Sequence, residues 1–288
     1  MSTAHTGPHT LVAFHAHPDD EALLTGGTLA RAAAEGHHVV LVTATDGERG
    51  LAGLQDGHGR ELAAVRVAEL EAAAAALGVA RLVRLGYGDS GLRPAAADEA
   101  AFANVDCEEA AARLAELLRE ESADVLVVYD ANGGYGHPDH VQVHRVGSRA
   151  AALAGTPVVL EATVPAGLFR GVLRALRLVG HRLGTSAPLG TDRVFAPRRI
   201  VTHRVRFPGQ VAAKRAAMAA HASQRRADGQ VRVLDLFLRL PFPVFAAVFG
   251  REWFAEQGHH RSGPMEDDVF AGLRRPRATA VPEEPIAR

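Results

Sequence analysis

The sequence predicts an α/β fold: a mainly parallel, Rossmann-like sheet with helices on both faces, followed by a C-terminal extension. Short apolar runs bounded by turn residues recur at 11–14, 39–45, 81–85, 125–129 and 158–162. Stretches rich in Ala, Leu, Glu and Arg, of helical length, lie between them. Strand and helix in alternation require crossover connections, hence parallel neighbours covered by helices. Two clusters of His and Asp follow the first and fourth runs, where ligands collect in such sheets, beyond the carboxyl ends of the strands.

Taken in order, the run 11–14 is apolar at every position, as expected of a strand buried on both faces. A helix over 20–34 follows and stops at Gly36 before the second strand at 39–45. The stretch 60–77 reads as a long helix ended by Gly78, with the third strand at 81–85. Helices over 108–121 and 139–153 flank the fourth strand, and the fifth lies at 158–162. Gly-containing loops at 46–59 and 86–106 leave the same edge as the polar clusters, and loops of that length in compact domains tend to carry function.

At 288 residues the chain supports one enlarged domain, divided here into a core over 1–225, an extension packed on it over 226–258, and a flexible tail over 259–288 rich in Pro, Arg and Glu. A formal net charge of −1 supplies no basic field for nucleic acid or anionic lipid, which favours a small-molecule partner. The oligomeric state is open. The single Cys107 allows no internal disulfide, and the N-terminus lacks a signal-peptide pattern, so a cytoplasmic location is expected. Apolar stretches at 164–183 and 233–249 are each broken by charges or prolines, too often for the roughly 20 apolar residues of a membrane span. The first places Arg170, Arg174 and Arg177 opposite Leu168, Val172, Leu176 and Val179, the pattern of a surface helix packed on the domain.

The first polar cluster, AHPDDE at 16–21, sets His17 and Asp20 three residues apart, so that a turn leading into a helix presents both on one side while Asp19 points elsewhere. Pro18 suits that turn. The plain alternative is that Asp19 caps the helix and His17 is an ordinary loop histidine. The second cluster, GGYGHPDH at 133–140, repeats His-Pro-Asp after another strand. His17, Asp20 and one histidine of this cluster would supply the three protein ligands of a catalytic zinc site; His144, four residues beyond His140, is a rival ligand. A glycine-rich nucleotide loop is a poor alternative, because Gly26 and Gly27 fall inside the following helix.

Together AHPDDE and GHPDH resemble the LmbE-like (PIG-L) deacetylases, and TDGERG at 45–50, RVAEL at 66–70, GYGDSGL at 86–92 and KRAAMAAHASQ at 214–224 add to the match. The resemblance spans about 10–225, and the extension to Phe254 is similar to bacterial members. It implies a zinc-dependent hydrolase that removes an acyl group, usually acetyl, from an amino-sugar nitrogen, with iron or another divalent metal able to replace zinc. By that resemblance His17, Asp20 and His140 bind the metal and Asp19 is the general base. His137 stabilises the oxyanion or protonates the leaving amine, Asp139 orients His137, and Tyr135 approaches the oxyanion. Arg66 and Asp89 match positions near the sugar pocket, although Arg66 would also pair with Glu69 on a helix surface, and Asp89 would also hold a turn before Gly91. Family substrates range over inositol-linked glucosamine, thiol-sugar conjugates, glycopeptide sugars and chitin-derived sugars. The run 236–249 is a candidate lining for an apolar acyl chain. A silent metal-binding protein, or an amidase of a thiol-sugar conjugate, remains as an alternative.

Overall fold

The computed structural model describes residues 7–50, 59–92, 94–95, 98–165, 167, 198–227, 230–231 and 233–275. In chain order the strands are β1 (Thr10–His15), β2 (His38–Thr45), β3 (Arg81–Tyr87), β4 (Val125–Tyr129), β5 (Val158–Thr163), β6 (His203–Arg206), the short hairpin β7 (Arg226–Ala227) and β8 (Gln230–Val231), and β9 (Arg251–Glu256). The main helices are α1 (Asp20–Leu24), α2 (Gly26–Ala34), α3 (Arg60–Leu77), α4 (Cys107–Glu120), α5 (Gly133–Gly136), α6 (Pro138–Ala154), α7 (Val211–Ala220), α8 (Val233–Leu238) and α9 (Phe242–Phe249).

Seven strands form one sheet in the order β3-β2-β1-β4-β5-β9-β6. The five on the β3 side run parallel, and β9 is antiparallel to both β5 and β6. Side chains of β1 alternate between two cores, as the pleat requires. Leu11 and Ala13 join Leu29, Leu70 and Met218 on one face, while Val12 and Phe14 join Leu114, Val143 and Val146 on the other. The chain goes from β1 outward to β2 and β3, then returns to place β4 on the other side of β1. That reversal opens a crevice at the carboxyl ends of β1 and β4, the usual ligand site of such sheets.

The strands and helices predicted between 11 and 162 stand at these positions, with one local difference. The stretch 20–34 is two helices, broken at Thr25. Thr25 Oγ1 donates to the Glu21 carbonyl at 3.2 Å and lies 2.8 Å from His15 Nε2. Such side-chain competition, followed by two glycines of low helix propensity, turns the axis.

At the C-terminal end β9 is a sheet strand between β5 and β6, while Phe237, Leu238 and Phe249 of the expected extension pack against the core. Residues 259–275 are also part of the fold: Val269, Phe270 and Ala271 are buried, Phe270 packs on His9 and His37, and Asp267 pairs with Arg206 and Arg31. Three apolar side chains among many polar ones carry too weak a periodicity to read as packing. The rest of the expected tail, from 276, lies outside the described residues, as does 168–183 of the expected surface helix. Among the described residues no helix is long and apolar enough to cross a membrane. In the run 236–249, Phe245 is buried in the core, and Phe237 and Phe249 pack against it.

One buried ion pair ties the late elements to the early ones. Lys214 Nζ lies 2.5 Å from Glu252 Oε1 and donates to the Leu23 carbonyl at 2.7 Å. Glu252 accepts from the Gly27 and Thr28 N–H groups at 2.9 and 2.8 Å, so its charge sits at the positive N-terminus of α2. Lys214→Met is expected to lower the free energy of unfolding in urea by about 3 kcal/mol, since it strands a buried carboxylate; adding Glu252→Gln should recover most of that loss. A single-variant loss below about 1 kcal/mol would mean that the two backbone bonds are enough for Glu252.

Candidate metal centre and active site

The two histidine-aspartate clusters meet in the crevice between β1 and β4. The polypeptide leaves β1 through His17 and Pro18 and begins α1 at Asp20, so Asp20 Oδ2 accepts from the His17 N–H at 3.0 Å. After β4, Asp130 shapes the second loop by accepting from the Asn132 and Gly134 N–H groups and from Thr163 Oγ1. Gly133 has φ 63°, and a Cβ there would stand 2.8 Å from the Val141 nitrogen, so this turn needs glycine. Pro138 opens α6 at its first position and carries His140 into the crevice.

Asp20 Oδ2 lies 3.3 Å from His17 Nδ1 and 3.3 Å from His140 Nε2. Nitrogen and oxygen ligands held about 2.0–2.1 Å from a tetrahedral metal stand roughly 3.3 Å apart. Both ring nitrogens of His140 are buried without a hydrogen-bond partner among the described residues, and the ring stacks on Tyr129 at 4.1 Å. Leaving a buried imidazole unbonded costs free energy that coordination would return. The far nitrogen of His17, Nε2, donates to Asp139 Oδ2 at 3.0 Å and lies 3.4 Å from Asp89 Oδ1. A metal-binding imidazole normally has that arrangement, one nitrogen free and the other held by a carboxylate.

Charge gives the same answer. Burial works against charging His17, yet its bonds to Asp139, Asp20 and Asp89 hold the imidazole well above its usual range. Burial likewise opposes ionisation of Asp20, and His140 and His17 nevertheless hold it well below the usual carboxylate range. Three carboxylates around one imidazole attract a cation, and nitrogen and oxygen donors of this kind suit a divalent metal. His17, His137 and His140 also offer ligand nitrogens all within 4.8 Å of one another, and the nitrogens of His17 and His137 and carboxylate oxygens of Asp89 and Asp139 form a second such group. His144 turns away: its Nδ1 lies 3.1 Å from the Tyr129 carbonyl and 3.5 Å from Glu161.

Asp19 stands at the N-cap position of α1, but its side chain makes no capping bond. Its backbone has φ 110°, unusual for a residue with a side chain, and such geometry costs about 1–3 kcal/mol and persists only where surroundings impose it. Arg66 imposes part of it. Its guanidinium donates to the Pro18 carbonyl, to the Gly47 carbonyl at 2.8 Å and to Asp19 Oδ1 at 3.2 Å. Gly47 has φ 70°, and a Cβ there would sit 2.3 Å from the guanidinium. Burial pushes the Asp19 carboxyl up to about 6, with Arg66 pulling the other way.

Several expected roles take a different form here. Arg66 does not pair with Glu69, which instead accepts from the Ser223 N–H and hydroxyl. Asp89 is buried and accepts from the Arg49 and Gly91 N–H groups, so it braces His17 and the loop at once. Asp139 Oδ2 is taken by His17 and the Ser90 N–H and stands 4.0 Å from His137 Nδ1, while Oδ1 has no hydrogen-bond partner among the described residues. It is the Asp139 backbone N–H that orients His137, donating to Nδ1 at 3.2 Å. Burial, then His17 and His140, bring the His137 pKa down to about 4. Tyr135 is 42% exposed at the rim, its ring edge-on to His137 at 6.1 Å and to His140 at 5.0 Å.

The sequence reading assigned no role to His15, Glu21, Tyr129 or His221. Tyr129 accepts from the Ala16 N–H and lies 3.1 Å from His15 Nδ1, locking the end of β1. Their one signal in sequence was the presence of Glu21 and His221 within the quoted motifs.

The sequence model of the PIG-L family, GlcNAc-PI de-N-acetylase, matches residues 12–151. A 1D-myo-inositol 2-acetamido-2-deoxy-alpha-D-glucopyranoside deacetylase of Streptomyces griseus is 40% identical over 91% of this chain and 88% of its own. N,N'-diacetylchitobiose deacetylase from Pyrococcus horikoshii superposes with TM-score 0.58 at 22% identity, over 86% of this chain and 83% of that one. The 4-carboxy-2-hydroxymuconate hydratase GalB of Pseudomonas putida does so with TM-score 0.60 at 16% identity, over 89% and 99%. The last two share a fold and differ in reaction, so fold alone does not name the chemistry. Sequence identity over nearly the whole length, together with both histidine-aspartate motifs in one crevice, makes this chain a member of the PIG-L (LmbE-like) family.

Proposed function

We propose that this chain is a metal-dependent hydrolase that removes the acetyl group from an N-acetylated amino sugar, with N-acetylglucosaminyl-inositol as its preferred substrate. The observation that carries the reading is the convergence of His17 Nδ1, Asp20 Oδ2 and His140 Nε2, with the strained Asp19 beside them and outside the set. The preference for an inositol glycoside rests on the 40% identity to the Streptomyces griseus deacetylase.

His17, Asp20 and His140 would hold the metal. Zinc, with iron or another divalent ion as a substitute, supplies when bound an acidified water and a polarised carbonyl. Asp19 takes the proton of the attacking water, a role that needs a carboxylate near the ligand set and not part of it. His137 accepts at Nδ1 and so carries its proton on Nε2, which makes it a neutral donor for the oxygen that gains charge. Tyr135, whose ring stands 6.1 Å from that of His137, offers a hydroxyl as a second donor for the same oxygen. The proton held by Asp19 then serves the leaving amine. Arg66 orients Asp19, and Asp89 offers remaining lone pairs to sugar hydroxyls while bracing His17.

Amine release should be faster from N-acetylglucosaminyl-inositol than from free N-acetylglucosamine or a thiol-sugar conjugate, by about tenfold or more in kcat/KM. A conjugate preferred over the inositol glycoside would make the chain a thiol-sugar amidase instead, and no release from any of the three would leave a silent metal-binding protein. Tyr135→Phe and His137→Ala should each lower kcat by about 10²-fold with little change in KM, because both act on charge that exists only after attack. A raised KM with kcat intact would assign them to substrate binding.

A further inference from the structure

Beneath Asp19 lies a buried pair that the chemistry above does not use. Glu21 and His221 are both fully buried, and His221 Nε2 donates to Glu21 Oε1 at 2.6 Å. The other oxygen, Glu21 Oε2, accepts from the Asp19 N–H at 2.9 Å. A charged group sealed from water is costly unless paired, so a carboxylate at this position implies that its partner and its acceptor role are both needed. His221 stands at the C-terminal cap of α7, two hundred residues from its partner in sequence.

The surroundings hold this pair in register with Arg66. Lys214 on α7 donates to the Leu23 carbonyl of α1, which fixes the one helix on the other. Glu69 lies three residues after Arg66 on α3 and accepts from Ser223, two residues past His221. One helix thus reaches Asp19 from the side-chain end through Arg66, and also anchors the segment that reaches its peptide N–H through Glu21. Asp19 at φ 110° is held from both ends.

We propose that His221 is a positioning residue for hydrolysis: by fixing Glu21, it holds the Asp19 peptide in its left-handed conformation and so keeps the base turned out of the ligand set of His17 and Asp20. Adjacent side chains already diverge in a turn, and the bond from the Asp19 N–H to Glu21 fixes that divergence. With the Asp19 peptide turned, Asp20 faces the imidazoles and Asp19 faces Arg66. The inference rests on the reading of Asp19 as the base.

A double-mutant cycle on the full-length, zinc-loaded chain tests it, with N-acetylglucosaminyl-inositol as substrate and metal content measured on every variant. His221→Leu removes the donor and keeps the volume. It should lower kcat by about 10- to 100-fold, the range expected when a catalytic group is displaced by about 1 Å, with KM within about threefold and one metal per chain retained. His221→Gln keeps an N–H donor and should stay within about fivefold of wild type. In an Asp19→Asn background, His221→Leu should change kcat by less than about threefold, because the group it positions is already gone. Glu21→Leu, which removes the acceptor of both the Asp19 N–H and His221, should match His221→Leu and carries the test if the first variant fails to fold. Effects of His221→Leu and Asp19→Asn that multiply in full, or a His221→Gln variant as impaired as His221→Leu, would overturn the inference while leaving the base intact. Wild-type kcat in Asp19→Asn alone would overturn the base reading, and the inference with it.

Discussion

Asp19→Asn is expected to keep its metal and to lose kcat by about 10²-fold or more, at the lower end of what a positioned general base contributes. The asparagine oxygen still accepts from Arg66, and the backbone N–H still reaches Glu21, so the fold around φ 110° is preserved. What goes is the ability to take a proton from water. Because a destabilised variant would lose metal and activity together, metal analysis beside kcat separates chemistry from folding. Metal loss in Asp19→Asn would move the residue into the coordination set, and an unchanged kcat would remove it from the reaction.

His17→Ala and His140→Ala should each abolish metal binding and bring turnover below detection. His140 has no hydrogen-bond partner among the described residues for either ring nitrogen, so its substitution removes a ligand and little other polar structure. His17 is also the group that Asp139 and Asp89 grip, so its loss leaves three carboxylates facing one another. A readout independent of activity comes from melting. A metal that binds only the folded state stabilises by about 2.7 kcal/mol at a hundredfold excess over its Kd, so added zinc should raise the Tm of chelator-stripped wild type and not that of either variant. His144→Ala should behave as wild type, since that side chain faces Tyr129 and Glu161. Metal retained in both alanine variants, or lost only in His144→Ala, would refute the ligand set.

The local patterns were legible to the residue in places. The run 125–129 is β4, and 60–77 is α3, because a short continuous apolar run, and a stretch of helix-forming residues ended by Gly78, are short-range signals that survive folding. The proximity of His17 and Asp20 was legible for the same reason: they lie within one turn, and a second His-Pro-Asp opens α6. β6 and β9 were missed. Each is short and polar on one side, and neither pairs with a sequence neighbour, so nothing within a few residues marks them.

What the sequence determined by itself is the alternation of strand and helix, the two chemical clusters after β1 and β4, and the residue types able to bind a metal and move a proton. Tertiary structure alone decided that β4 lies beside β1, which brings His140 to Asp20. It also decided that Asp139 grips His17 through its carboxylate and His137 through its N–H, that Arg66 serves Asp19 and not Glu69, and that His221 closes on Glu21 from two hundred residues away. The physical reason is range. Backbone propensity and turn chemistry act over a few residues, whereas the partner of a buried charge is whichever group the sheet order and helix packing bring within 3 Å, and that is a property of the whole chain.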